Sequence, residues 1–224
     1  MKIDHQEDTM TKAEARVLGC LMEKQLTTPY VYPLTLNALA NGCNQKSNRE
    51  PIMDLSPGEI EHIAKELDLR GLVYVDYGER TLRVSQRMKA TYLLDDKKQA
   101  ILSVLMLHYP QTLNDIRRRS SRMVEWPDNS ESEIELILLE LIEQEPPLVI
   151  LIPKGDGRRE DRYTHSLCGK IDVNELKTIN PSSASTLSRQ PDTDRLTELE
   201  QRVAVLEETL KNLQSNSANT ATDK

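Results

Sequence analysis

Pro33-Leu34-Thr35-Leu36-Asn37-Ala38-Leu39 returns further along the chain as Pro110-Gln111-Thr112-Leu113-Asn114-Asp115-Ile116. Two more echoes follow in the same order. Ser56-Pro57-Gly58-Glu59-Ile60 is repeated in Ser130-Glu131-Ser132-Glu133-Ile134, and Gly71-Leu72-Val73-Tyr74-Val75 in the apolar run Leu148-Val149-Ile150-Leu151-Ile152. Three matches in one order, at a nearly constant offset, indicate one module used twice. Copies of this size are domains, not units of a solenoid.

Each copy has the same internal grammar. Thr11 and Glu14 form a capping box that opens a helix with Ala15, Leu18, Leu21 and Met22 at helical spacing. Thr27, Thr28 and Pro29 stop it, and a second helix is expected from about Leu34 to Gly42. Ser56 as N-cap, Pro57 at the first helical position and Glu59 closing the box announce a third. Its apolar stripe is Ile60, Ile63, Ala64 and Leu67, and Gly71 is the stop. Leu72 to Tyr77 and Thr81 to Ser85 then read as strands joined at Gly78-Glu79.

In the second copy, helices are expected from Asp96 to His108, from Thr112, and from Ser130 to Gln144. A strand near Leu148 to Ile152, a turn at Lys154-Gly155-Asp156-Gly157 and a strand from Arg162 to His165 complete it. Three helices followed by a β-hairpin is the winged-helix arrangement. The expected fold class is therefore mainly α with small β-hairpins (α+β). It comprises two tandem winged-helix domains, 11–88 and 95–168, plus a C-terminal coiled-coil-like helix.

Outside the copies the chain changes character. Residues 1–10 read as a disordered N-terminus and 175–194 as a flexible linker rich in Ser, Thr and Pro. Over 195–214, Leu196, Leu199, Val203, Leu206, Leu210 and Leu213 alternate by three and four, a coiled-coil seam pointing to a homodimer. The same stripe suits an amphipathic helix folded back on the domains. Residues 215–224 read as a disordered tail.

Composition narrows the function classes. The 224 residues contain no Phe and a single Trp126, so Leu, Ile, Val and Met must fill the cores. Cys20, Cys43 and Cys168 lie far apart, as do His5, His62, His108 and His165. No pair has zinc-ligand spacing, so reduced thiols, no metal and no cofactor are expected. No phosphate-cradling glycine loop, nucleophile elbow or marked carboxylate pair points to catalysis. The N-terminus is polar, and the most apolar run, Ile134 to Ile142, is broken by Glu135 and Glu140. A cytoplasmic protein without a membrane span is expected.

The segment Leu36-Asn37-Ala38-Leu39-Ala40-Asn41-Gly42-Cys43-Asn44-Gln45-Lys46-Ser47-Asn48-Arg49-Glu50-Pro51 resembles the signature of the bacterial YceH family. Ala15 to Lys24 and Thr27-Thr28-Pro29 resemble it too, and the similarity extends over roughly residues 11 to 168. Gly42 is the visible departure. The resemblance implies a tandem winged-helix architecture and supplies no activity.

Winged helices suggest DNA binding, yet the formal net charge is −7. The first third helix carries Glu59, Glu61, Glu66 and Asp68 against Lys65 and Arg70; the second is wholly acidic. Pressing such faces into a phosphate-lined groove brings like charges together. Basic residues cluster elsewhere: Arg117, Arg118, Arg119 and Arg122 around the second helix, Arg158 and Arg159 on the wing, and Lys46 and Arg49 in an amide-rich loop. Two readings follow. One is a DNA-binding regulator gripping phosphate with those eight residues. The other is a protein–protein adaptor whose acidic third helices meet a basic partner. The loop Asn44 to Arg49 has the donors to grip a phosphate or peptide backbone, and equally to cap the second helix.

Overall fold

Thr11 does what its spacing to Glu14 predicts. Its hydroxyl accepts from the Glu14 N–H at 3.1 Å while the Glu14 carboxylate accepts from the Thr11 N–H at 2.6 Å, opening α1 (Lys12–Thr27). The structure is a computed structural model that describes residues 9–169 except 79, 80, 109 and 156–158. The linker, the leucine seam and Arg158 lie outside the described residues. Met10, read as part of a disordered terminus, is buried, and its N–H donates to the Leu167 carbonyl.

After α1 come the two-residue strand β1 (Leu34–Thr35), α2 (Leu36–Cys43), α3 (Pro57–Leu69) and the hairpin β2 (Val73–Tyr77) and β3 (Leu82–Gln86). A short helix, α4 (Met88–Thr91), occupies the connection, where the sequence signalled only a link. The second copy supplies α5 (Asp96–Leu107), α6 (Leu113–Ser120), α7 (Glu131–Glu143), β4 (Val149–Ile152) and β5 (Arg162–His165). The fold is mainly helical with small antiparallel sheets, and helix–helix–helix–hairpin occurs twice. All described residues belong to one compact unit, Met1–Ile171.

The repeat reaches into the sheets. In the first copy β1 pairs with β3, Leu34 opposite Val84. In the second, Gln111 makes the equivalent contact as an isolated bridge to Tyr163, exchanging N–H to carbonyl bonds of 2.9 and 2.8 Å. The sequence placed Leu34 in the second helix. The structure makes it a strand residue because Thr35, accepting from the Ala38 N–H, is the N-cap.

The core sits where the copies meet. Residues Ala15 to Glu23 of α1 and Gln99 to Leu107 of α5 are buried without interruption, so both helices are enclosed on every side. Gly19 permits their close approach: a Cβ there would lie 2.9 Å from Met106 Cβ. Leu18, Leu21, Met22, Ile101, Leu102 and Leu105 are sealed from solvent in this contact layer. Burial of such side chains contributes roughly 1.5–3 kcal/mol each. The apolar stripe read from the sequence is present, but it is not a stripe: Arg16 and Glu23 on α1 are buried as well.

Candidate functional site

The loop after α2 is where charge concentrates, and it is a clasp inside the protein. Asn44 holds the loop closed by bonding both backbone groups of Leu55, at 2.8 Å each. Arg49 is 2% exposed. Its Nε donates to the Gly42 carbonyl at 2.9 Å, Nη1 donates to the Asn48 carbonyl at 2.6 Å, and Nη1 and Nη2 grip the two carboxylate oxygens of Glu23. Arg16 donates to the carbonyls of Cys43 at 3.1 Å and Pro51 at 2.6 Å. Arg16, Cys20 and Glu23 recur every three to four residues, so one face of α1 meets the whole loop.

The second copy closes the clasp. Arg122, just beyond α6, also bonds the Glu23 carboxylate, and the Glu50 N–H donates to the Leu107 carbonyl at 2.9 Å. Glu23 thus holds two guanidiniums, one from each copy. Arg119 reaches Glu50 at 3.8 Å and places Nη1 3.3 Å from His108 Nε2. A guanidinium only donates, so Nε2 accepts and the ring proton belongs on Nδ1. Burial, and then the charges of Arg119, Arg49, Arg122 and Arg16, push the His108 pKa down to about 3. His108 is therefore neutral in the folded protein near neutral pH.

Cys20 and Cys43 lie fully buried beneath the loop. A hydrogen bond from Cys43 lowers the Cys20 thiol, burial opposes this, and Arg49, 3.9 Å away, reinforces it. Cys43, the donor, is pushed well up. Gly42 finds its reason here. A Cβ at that position would stand 2.6 Å from Cys20 Sγ, so only glycine lets α2 close against α1.

These contacts change the standing of the eight basic residues read as phosphate contacts. Arg49 is corrected outright: it is enclosed and fully engaged, with no face left for a phosphate. Arg119 and Arg122 serve the clasp, although Arg122 keeps a partly exposed side chain. Arg118 is exposed and pairs with Asp115 at 2.9 Å. Arg117 has no carboxylate partner among the described residues, and Lys46 and Arg159 are exposed. The structure thus brings Arg49, Arg119 and Arg122 together around Glu23, Glu50 and backbone carbonyls, and leaves Arg118, Arg159 and Lys46 exposed and Arg117 partly so. The sequence missed Arg16, Glu23 and His108. The helical spacing of Arg16 and Glu23 within an otherwise apolar run was the available signal for two of them.

The third helices form the other candidate surface. α3 and α7 are each 13 residues long and bury equivalent positions: Ile60, Ala64 and Leu67 in one, Ile134, Leu138 and Leu141 in the other. Their outward faces differ. Where α3 shows His62 and Lys65, α7 shows Leu136, 61% exposed, and Leu139, 50% exposed. Lys65 pairs with Glu61 at 2.7 Å. Of the five glutamates on α7, Glu131, Glu135 and Glu143 have no ion pair among the described residues. Glu133 and Glu140 are paired with Lys97 and Lys98 of α5, the latter at 2.7 Å.

Among the described residues no group of three His, Cys, Asp or Glu side chains is arranged to hold a metal ion. Nor is any helix there long and apolar enough to cross a membrane. Residues 10–158 match the family described as "Protein of unknown function, DUF480". The chain is 44% identical to a UPF0502 protein of Cellvibrio japonicus over 210 residues, 93% of each chain. It is 43% identical to a UPF0502 protein of Ectopseudomonas mendocina, covering 88% of this chain and 89% of the relative. With a UPF0502 protein of Geobacter metallireducens it shares 36% identity over 88% of this chain and 90% of that one. The resemblance carried by residues 36–51 is thus a family relationship over most of the chain.

Proposed function

The chain belongs to the DUF480 family, and from that premise we propose that it is a non-catalytic cytoplasmic adaptor that binds a protein partner through the outward face of α7. The observation that carries this reading is the pair Leu136 and Leu139, exposed where the other copy presents His62 and Lys65. Aliphatic side chains held in water on a rigid helix gain roughly 25 cal/mol per Å² when a partner covers them. The buried titratable groups support a structural role rather than a reaction: Glu23, Arg49 and His108 all face protein partners. Dimerisation through the leucine seam remains part of the proposal.

The test is a photo-crosslinking residue placed at Leu136 of the full chain in cells, with a matched one at His62. Adducts at position 136 and none at position 62 support the adaptor. Equal labelling, or none at 136, removes it.

A nucleic-acid reading has its own observation: Arg117 and Arg118 project from α6, the first without a carboxylate partner among the described residues. On that reading they grip phosphate with Lys46, Arg158 and Arg159, in a winged-helix frame that does not use α7. It predicts salt-sensitive DNA binding that Arg117→Ala/Arg118→Ala abolishes. The acidic face of α7 counts against the usual major-groove docking.

A further inference from the structure

The face of α7 selects its occupant by charge as well as by apolarity. Leu136 and Leu139 are three residues apart and therefore neighbours on one stripe of the helix. The helix carries five glutamates and no lysine or arginine. Glu135 and Glu143 flank the stripe without a cationic partner among the described residues. The hairpin carries an exposed leucine of its own. Leu151, itself exposed, pairs across the sheet with Tyr163, so the two project to one side. Burial first, then the carboxylates of Asp161 and Glu135, raise the Tyr163 phenol.

We propose that this face receives a basic amphipathic helix of a partner protein, its aliphatic side chains over Leu136 and Leu139 and its lysines or arginines opposite Glu135 and Glu143. The proposal rests on the adaptor reading and names the chemistry of the partner. Thirteen residues of α7 give a track about 20 Å long, which suits an occupant of three to four turns. Charge argues against the alternatives within this chain. The segment 195–214 carries Glu198, Glu200, Glu207 and Glu208 against Arg195, Arg202 and Lys211, a net charge of 3 − 4 = −1. A second copy of α7 would set glutamates against glutamates.

The experiment is fluorescence anisotropy of the full-length protein with a labelled peptide of about four helical turns, leucines on one face and lysines and arginines on the other. A control peptide has every basic residue replaced by Glu. The basic peptide binds, more weakly as salt rises, and the control does not. Affinity falls at least roughly tenfold in Leu136→Ser/Leu139→Ser and in Glu135→Gln/Glu143→Gln, and both variants keep the parent unfolding midpoint. His62→Ala/Lys65→Ala leaves binding unchanged.

Equal binding of the acidic control, or indifference to both α7 variants, overturns the proposal. A roughly tenfold rise in peptide affinity in Leu199→Ser/Leu206→Ser overturns it in favour of the chain's own tail. Self-association that Leu136→Ser abolishes overturns it in favour of a second copy. Crosslinks at position 136 without peptide binding overturn this chemistry alone, whereas the absence of both also removes the adaptor reading.

Discussion

The two third helices, α3 and α7, are the same length and bury three equivalent positions, yet they face solvent with different chemistry. At the matching positions α3 presents His62 and a solvent-exposed Lys65–Glu61 pair, with an exposed Leu69 only at its C-terminal end. α7 presents two leucines among glutamates. A buried face is constrained by packing, which both copies share; an outward face is constrained only by what meets it. The two copies also differ in what precedes the third helix. The first has the long loop that carries Arg49 inward, and the second a shorter connection that lends Arg122 to the same carboxylate. The first copy holds the buried carboxylate and the second the exposed Leu136 and Leu139.

That division can be broken at its strongest point. Glu23→Gln leaves two guanidiniums without their countercharge, one of them fully buried, and is expected to destabilise the protein by about 3–5 kcal/mol in urea unfolding. Arg49→Ala should approach that loss, while Arg122→Ala, whose side chain is 38% exposed, should fall well short of it. Equal losses for the two arginines would mean that the copies share the clasp evenly.

Acid acts on the same region. His108 is held at about 3 against an ordinary 6.5, so below pH 6.5 the unfolded chain takes up a proton that the folded chain refuses. Stability is therefore lost as pH falls from about 6.5 towards 3, and His165, held at about 4 by burial, adds to the loss down to that value. His108→Gln should flatten the slope of stability against pH between 6 and 4, measured by urea midpoints. An unchanged slope would exclude His108 as a source.

Smaller effects sharpen the comparison. Gly42→Ala forces a methyl against Cys20 Sγ and should cost about 1–3 kcal/mol, read as a lowered thermal midpoint. The two serine caps offer the finest contrast. Ser56 has ψ 156° and its hydroxyl accepts from the Glu59 N–H, so Ser56→Ala should cost about 1 kcal/mol. Ser130, aligned with it in sequence, has ψ 4°, makes no capping bond, and buries its hydroxyl without a partner. Ser130→Ala should be neutral or slightly stabilising. Matching losses at both serines, in parallel denaturation curves, would show that the second cap forms in solution.

The comparison also marks where sequence reading works. Thr11 and Ser56 were legible as caps because a cap is decided within three residues, and each accepts from the expected N–H. Ser130, aligned with Ser56, is not a cap: it follows Asn129, whose φ is 63°, and its own ψ is 4°. The hairpins matched to within a residue or so, since alternation and turn residues are local. β1 and α4 were missed: one exists only because β3 lies alongside, and the other is a four-residue turn without its own periodicity.

By itself, the sequence determined that one module is used twice, where its helices start, and which apolar positions point inward. Those features depend on contacts between near neighbours and on a periodicity that two copies make visible. Only the tertiary structure decided the fate of the charges. Arg49 reads as an exposed loop cation, but it meets a carboxylate 26 residues away, and Arg122 meets that same carboxylate across 99. A side chain's charge is written in the sequence, whereas its burial depends on which distant atoms surround it.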